Sequence, residues 1–228
     1  MPFTLSEVVP WGRSYDEYVS MFCLSPSDLN KEILGCGDGP ACFNIAHSTR
    51  GGSVVSIDPI YAFSAEEIKG QVEKTFEIIL EQARKNRDEF IWENIPSVED
   101  LGKIRMAAME SFFEDFNIGR AEGRYIAGGL PDLPFRDKEF DIALCSHFLF
   151  LYSRQLSMGF HFISIRELCR VAREVRIFPL LELGGKKSRY LEPLIDGLEK
   201  ERYHIEVKKV PYQFVKGGNE MVVIKSPS

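Results

Sequence analysis

Along this chain, short apolar runs bounded by glycine and proline alternate with longer stretches whose apolar residues recur every three to four positions. That is the pattern of strands interleaved with helices. Glu32-Ile33-Leu34 opens the first run and leads into Gly35-Cys36-Gly37-Asp38-Gly39, and Ser53 to Ile57 forms the second, stopped by Asp58 and Pro59. Arg124 to Ala127, Phe140 to Cys145 and Val175 to Leu181 follow, with Pro179 expected near a strand end because proline cannot complete a ladder. His204 to Val210 and Asn219 to Lys225 alternate as strands. The segment 211–218 between them is too short for a crossover helix, so these two must pair antiparallel.

The helical stretches are read the same way. Tyr15 to Phe22 puts Tyr18, Met21 and Phe22 on one face, and Pro40 suits the first position of a helix that follows the glycines. Ala65 to Arg87 carries Ile68, Val72, Phe76, Ile79, Leu80 and Ala83 at helical spacing. A further helix starts at Ser97, with Asp100 in the capping-box place, and runs through Leu101, Ile104, Ala108 and Phe112. Ile163 to Arg173 turns Ile165, Leu168, Cys169 and Ala172 inward and leaves Arg166, Arg170 and Arg173 as an exposed edge; Leu191 to Lys200 is weakened by Gly197. Two helices between the second and third strands exceed the single crossover a parallel sheet needs. Residues 62–120 are therefore expected to form an inserted helical hairpin, placed to serve as a lid, within one domain spanning 1–228. Trp92, Phe112, Phe113 and Phe116 are candidates to line a cavity beneath it, with plain packing of the hairpin as the competing reading.

The chemistry concentrates between residues 31 and 59. Three glycines at alternate positions remove the Cβ atoms that would keep a ligand from the backbone. Asp58 closes the next strand about twenty residues later, the separation at which a nucleotide-binding βαβ unit sets a carboxylate on ribose hydroxyls. An ionised carboxylate accepts from both hydroxyls of a 2′,3′-diol, so the expected ligand is an adenosine with a free ribose. A dinucleotide fingerprint needs a third glycine where this chain has Pro40 or, counted from Gly37, Cys42.

The G-x-G-x-G loop with its following acid resembles motif I of the class I S-adenosylmethionine-dependent methyltransferases. That resemblance implies cofactor contacts at Gly35, Cys36, Gly37, Gly39, Asp58 and Pro59. The family usually has an acid two residues before the first glycine, where this chain has Ile33. A second stretch, Gly128-Gly129-Leu130-Pro131-Asp132-Leu133-Pro134-Phe135 followed by Phe140-Asp141, resembles the family's G-D-A-x-x-L-P-F segment and its next strand. Gly129 stands where the family's adenine-binding acid does, leaving the Leu130 N–H for the ring and Asp132 as a displaced substitute. Ser146 and His147 end the fourth strand and should face the cofactor or acceptor. His147 is the general-base candidate because an unperturbed imidazole titrates near neutral pH. The antiparallel ending completes the likeness. It implies a three-layer α/β, Rossmann-like methyltransferase fold with a seven-stranded, mostly parallel sheet, S-adenosylmethionine as cofactor and a small organic acceptor. Two other readings share these layers: an NAD(P)-dependent oxidoreductase, and a non-catalytic member of the fold working through a partner.

Composition narrows the setting. A net charge of −6 over 228 residues speaks against a nucleic-acid footprint, and the basic stretch Gly184 to Arg189 is expected to be a solvated loop. Leu149 to Arg154 is expected to wall the substrate, and Glu182 to be a loop acid at the rim. The five cysteines form no C-x-x-C pair, so neither a zinc site nor a disulfide framework is favoured. The first residues carry acids and an early proline instead of a basic start and apolar core, and no run approaches membrane-spanning length. The expected setting is cytoplasmic, with no membrane or metal partner.

Overall fold

The computed structural model describes residues 9–227, so part of the leader reading falls outside the described residues. Seven strands form one sheet: β1 (Glu32–Cys36), β2 (Ser53–Asp58), β3 (Tyr125–Ala127), β4 (Phe140–Ser146), β5 (Ala172–Phe178), β6 (His204–Lys209) and β7 (Glu220–Lys225). Their order is β3-β2-β1-β4-β5-β7-β6. Only β7 is reversed, pairing antiparallel with both β5 and β6. The expected terminal hairpin is therefore present, with β7 between β5 and the edge strand β6. Strand order reverses between β1 and β4, which pair in parallel from Ile33↔Ile142 to Cys36↔Cys145. That reversal opens a crevice beyond their carboxyl ends.

Six helices cover the sheet: α1 (Tyr15–Met21), α2 (Phe43–Ser48), α3 (Ala65–Lys85), α4 (Val98–Ala121), α5 (Met158–Val171) and α6 (Leu191–Lys200). β1 buries every residue after Glu32, as a strand covered on both faces must. Leu34, Ala143 and Val175 pack on one face with α5 and α6, whereas Ile33, Val54, Ile142 and Leu144 meet Tyr18, Met21, Phe22 and Phe43 on the other. α3 and α4 lie against each other, sharing Leu80, Ala83 and Leu101. Among the described residues no helix is long and apolar enough to cross a membrane.

Three local expectations are corrected. Pro40 sits in a turn and α2 begins three residues later at Phe43; the Cys42 N–H instead bonds the Arg13 carbonyl, so the chain preceding α1 holds this turn. α5 starts earlier than Ile163 and ends at Val171, which moves Ala172 and Arg173 into β5. Of the two readings of the aromatic residues, the structure bears out plain packing. Phe112 and Phe116 are fully buried with Tyr61 and Tyr125, Phe113 stacks at the edge of that cluster, and Trp92 rests on Phe90 and Phe214. At the head of α4, the Ser97 hydroxyl caps the Asp100 N–H, but the Asp100 carboxylate receives the Ser97 hydroxyl and not its N–H. The Arg edge is as read: Arg166 pairs with Glu201, and Arg170 with Glu167 and Asp137.

Candidate functional site

A cavity of about 360 Å³ lies at the carboxyl ends of β1 to β5. Its floor is the glycine turn after β1, and its sides are the segments after β2, β3 and β4. Cys36, Gly37, Gly39, Asp58, Pro59, Gly129, Leu130, Ser146 and His147 all border it. Gly35 does not: a side-chain carbon there would fall 1.8 Å from Asp38 Oδ2, so this glycine makes room for the Asp38 carboxylate and not for a ligand. Bare main chain is offered at Gly39, where an added Cβ would meet nothing within 4 Å. Gly37 has φ +72°, a backbone that favours glycine, and lies against Phe148 from the loop after β4.

The turn is tied to β2 and the segment after it at three points. Gly37 donates to the Ile57 carbonyl at 2.9 Å, Gly39 donates to Asp58 Oδ2 at 2.8 Å, and the Tyr61 hydroxyl donates to the Gly39 carbonyl at 2.7 Å. The other Asp58 oxygen accepts the Ile60 N–H at 2.9 Å. Each carboxylate oxygen has two lone pairs, so Asp58 retains acceptors for a diol while it braces the turn. Burial raises its pKa against the pull of those two N–H groups.

Asp38 is a second carboxylate in the turn, and the sequence pattern gave it no role. Tyr18 on α1 donates to its Oδ1 at 2.8 Å and Ser56 on β2 donates to its Oδ2 at 2.7 Å. Burial, with the charge of Asp58 adding to it, pushes its pKa up to about 6 although both hydroxyls oppose the shift. The available signal was an acid placed between two glycines, a position that the strand before it and the helix after it enclose.

His147 follows β4 in a left-handed conformation, φ 52°, with its N–H on the Phe178 carbonyl and its Nδ1 2.9 Å from the Ser146 hydroxyl. Burial, helped by the cations Arg13 and Arg105, holds its pKa well below the ordinary imidazole value, so the expectation of a titration near neutral pH is corrected. The ring is neutral and available as an acceptor at physiological pH. Asp132 is exposed away from the cavity, which removes it as an adenine contact. Glu182 is nearly inaccessible, borders the cavity and is held by the Arg189 guanidinium, which together with the Arg189 N–H lowers its pKa.

The far side of the cavity is closed by a contact between distant segments. Ile91 donates to the Phe214 carbonyl at 2.7 Å and Lys216 to that of Glu89 at 2.9 Å, joining the α3–α4 connection to the β6–β7 connection. α3, α4 and their connection thus border the site through Ile79, Ala83, Phe90 and Leu101. Phe148, Leu151 and Tyr152 supply the wall expected of the loop after β4, while Phe150 turns into the core.

No protein-family model matches the chain. The chain is similar in fold to the TehB-like SAM-dependent methyltransferase from Corynebacterium glutamicum, with a TM-score of 0.50 at 14% identity over 94% of this chain and 88% of that one. The magnesium protoporphyrin IX methyltransferase from Synechocystis, solved with bound SAH, aligns with a TM-score of 0.49 at 14% identity over 93% and 81%. In sequence, the chain is 34% identical over 222 residues to "Uncharacterized protein MJ0045" of Methanocaldococcus jannaschii, covering 97% of both chains. The chain therefore has the Rossmann-like fold of the class I methyltransferases and belongs to the family of the Methanocaldococcus protein MJ0045.

Proposed function

We propose that this chain is an S-adenosylmethionine-dependent methyltransferase acting on a small organic acceptor. One observation carries the reading: two buried carboxylates, Asp38 in the glycine turn and Asp58 at the end of the next strand, border the cavity against a single arginine, Arg13, among the described residues. Such a turn repels a pyrophosphate and favours a ligand whose sulfonium and ammonium groups are cationic. The oxidoreductase reading, which needs a dinucleotide phosphate at this position, is disfavoured by the same charge. The residues fit the proposed cofactor at two further points, the open backbone at Gly39 and the free lone pairs of Asp58 toward a ribose. Asp38 offers an acid for the methionine ammonium in place of the family acid that Ile33 lacks, and Gly129 and Leu130 are set to border the adenine.

When bound, the cofactor supplies a methyl group already activated on sulfur. The protein's contribution is then to position the acceptor in line and to exclude water, worth up to about 7–11 kcal/mol in favourable cases. Ser146 and His147 border the space between the turn and the aromatic wall, and the neutral His147 imidazole accepts the acceptor's proton where one must leave. A cavity of this volume suits a small molecule and not a nucleic-acid chain.

A thermal-shift panel with S-adenosylmethionine, S-adenosylhomocysteine, NADH and NADPH tests the reading. At a hundredfold excess over Kd, binding adds about 2.7 kcal/mol, which raises the midpoint of a chain this long by roughly 5–10 °C. The two adenosyl compounds are expected to give that shift and the nicotinamides none. A shift with the nicotinamides alone contradicts the proposal, and no shift with any of the four favours the non-catalytic reading.

A further inference from the structure

Arg13 is the one lysine or arginine that borders the cavity among the described residues, and it has no carboxylate partner among them. Its neighbour Arg105 is fully buried and gives both terminal nitrogens to Glu17, the Nη2 to Oε1 bond being 2.6 Å. Glu17 is further committed to the Tyr212 hydroxyl and the Ser14 N–H, so its charge is matched by Arg105. The two arginines and one glutamate leave one positive charge unmatched. Arg13 Nη1 donates to the Trp11 carbonyl, while Nε is buried with no partner among the described residues. A buried cation with an unmade hydrogen bond is costly unless an anion completes it. Burial, with Arg105 adding to it, lowers the Arg13 pKa to about 10, still charged at neutral pH.

The Arg13 backbone holds the glycine turn through the Cys42 N–H, and its side chain reaches the Trp11 carbonyl at the cavity wall. Its charge acts on His147, Tyr152 and Tyr212, in the loops after β4 and β6, and on Tyr18 of α1. Apolar groups border the same cavity: Trp11, whose carbonyl Arg13 meets, Leu183 and the stacked rings of Phe90 and Phe214. Glu182 and Glu89 border the same region, and Glu182 is already neutralised by Arg189.

We infer that the acceptor end of this cavity binds an apolar molecule bearing a single carboxylate, docked on the Arg13 guanidinium. The inference rests on the methyltransferase reading only for what it names the acceptor. A lone guanidinium among aromatic walls matches one planar carboxylate, whereas a phosphate dianion would need additional donors that this wall lacks. The carboxylate balances the unmatched charge of the guanidinium and leaves the apolar body against the aromatic lining.

Calorimetric titration of protein saturated with S-adenosylhomocysteine tests this, using 3-phenylpropionate and 1-naphthoate against their primary amides. The acids are expected to bind at least tenfold more tightly than the amides. Arg13→Gln should remove that difference while leaving the affinity for S-adenosylhomocysteine within threefold, and Arg13→Lys, which keeps the charge, should restore part of it. Acids that bind no better than amides, including no binding of either, overturn the inference. So does a tenfold loss of S-adenosylhomocysteine affinity in Arg13→Gln, which would assign the guanidinium to the cofactor's own carboxylate. If S-adenosylhomocysteine fails to bind but the Arg13-dependent preference for acids persists, the cofactor reading falls and this one stands.

Discussion

Asp58 Oδ2 accepts the Gly39 N–H at 2.8 Å, so the acid that closes β2 also fixes the turn that closes β1. The expected ribose ligand is thereby a structural brace before any ligand arrives, and its substitution has two separable effects. Asp58→Ala removes the partner of Gly39 and of the Ile60 N–H, and loss of that cap alone costs about 1 kcal/mol. It also removes two charge-assisted bonds to a diol, so affinity for S-adenosylhomocysteine should fall roughly a hundredfold or more. Urea denaturation and calorimetry read the two effects independently. Unchanged affinity with reduced stability would leave Asp58 as a brace alone.

Asp38 makes stability depend on pH in a direction opposite to most acids. Its folded pKa, about 6, lies above its ordinary value of 3.8. The folded state therefore holds the proton more tightly, and stability present at low pH is lost as pH rises through 6. Asp38→Asn, which cannot ionise, should thus gain midpoint relative to the parent between pH 4 and pH 8, by roughly 5–10 °C from a shift of about two units. A difference that stays constant across that range would show that the carboxyl titrates normally.

Glu17 follows the reverse sign. Burial raises its pKa, but the Arg105 charge and hydrogen bonds outweigh that and hold it at about 2. Its contribution is full above the unfolded value near 4.5 and is lost as pH falls toward 2. Glu17→Gln leaves Arg105 buried and unmatched, and breaking such a pair from one side costs about 3–5 kcal/mol. The loss should appear in urea midpoints at pH 7 and shrink toward pH 3. A cost under about 1 kcal/mol at pH 7 would mean the pair is open to water.

For His147 the depressed pKa gives a kinetic signature. His147→Ala should leave S-adenosylhomocysteine binding intact and slow transfer by roughly 10²- to 10⁴-fold for an acceptor that must lose a proton. Because the imidazole stays neutral, the parent rate should show no inflection from this group between pH 6 and pH 8. A bell with one limb near pH 6.5 that disappears in the variant would show instead an ordinary histidine.

The seven strands, their antiparallel ending and nearly every element were legible because they rest on local signals: glycine and proline punctuation, apolar periodicity, and a 211–218 segment too short to cross the sheet. α6 was recovered to the residue, and the Gly197 that weakens it has a reason visible only in three dimensions, since a Cβ there would fall 2.3 Å from Phe162 on α5. The missed features all depend on segments far apart in the chain. Asp38 meets its partners from α1 and β2, Arg105 of α4 takes Glu17 of α1 beside Arg13, and the cavity roof joins Ile91 to Phe214. For Trp92, Phe112, Phe113 and Phe116 the sequence left both a cavity lining and plain packing open, because aromatic residues suit either and periodicity does not say which; they pack. A single strand pattern likewise did not show that Asp38 would fill the space Gly35 leaves.

The most direct measurement is a crystal structure with S-adenosylhomocysteine. The predicted result places its ribose hydroxyls within hydrogen-bond distance of Asp58, its amine beside Asp38 and its sulfur facing His147. A ligand bound elsewhere, or a dinucleotide whose pyrophosphate rests on residues 37–39, would contradict it.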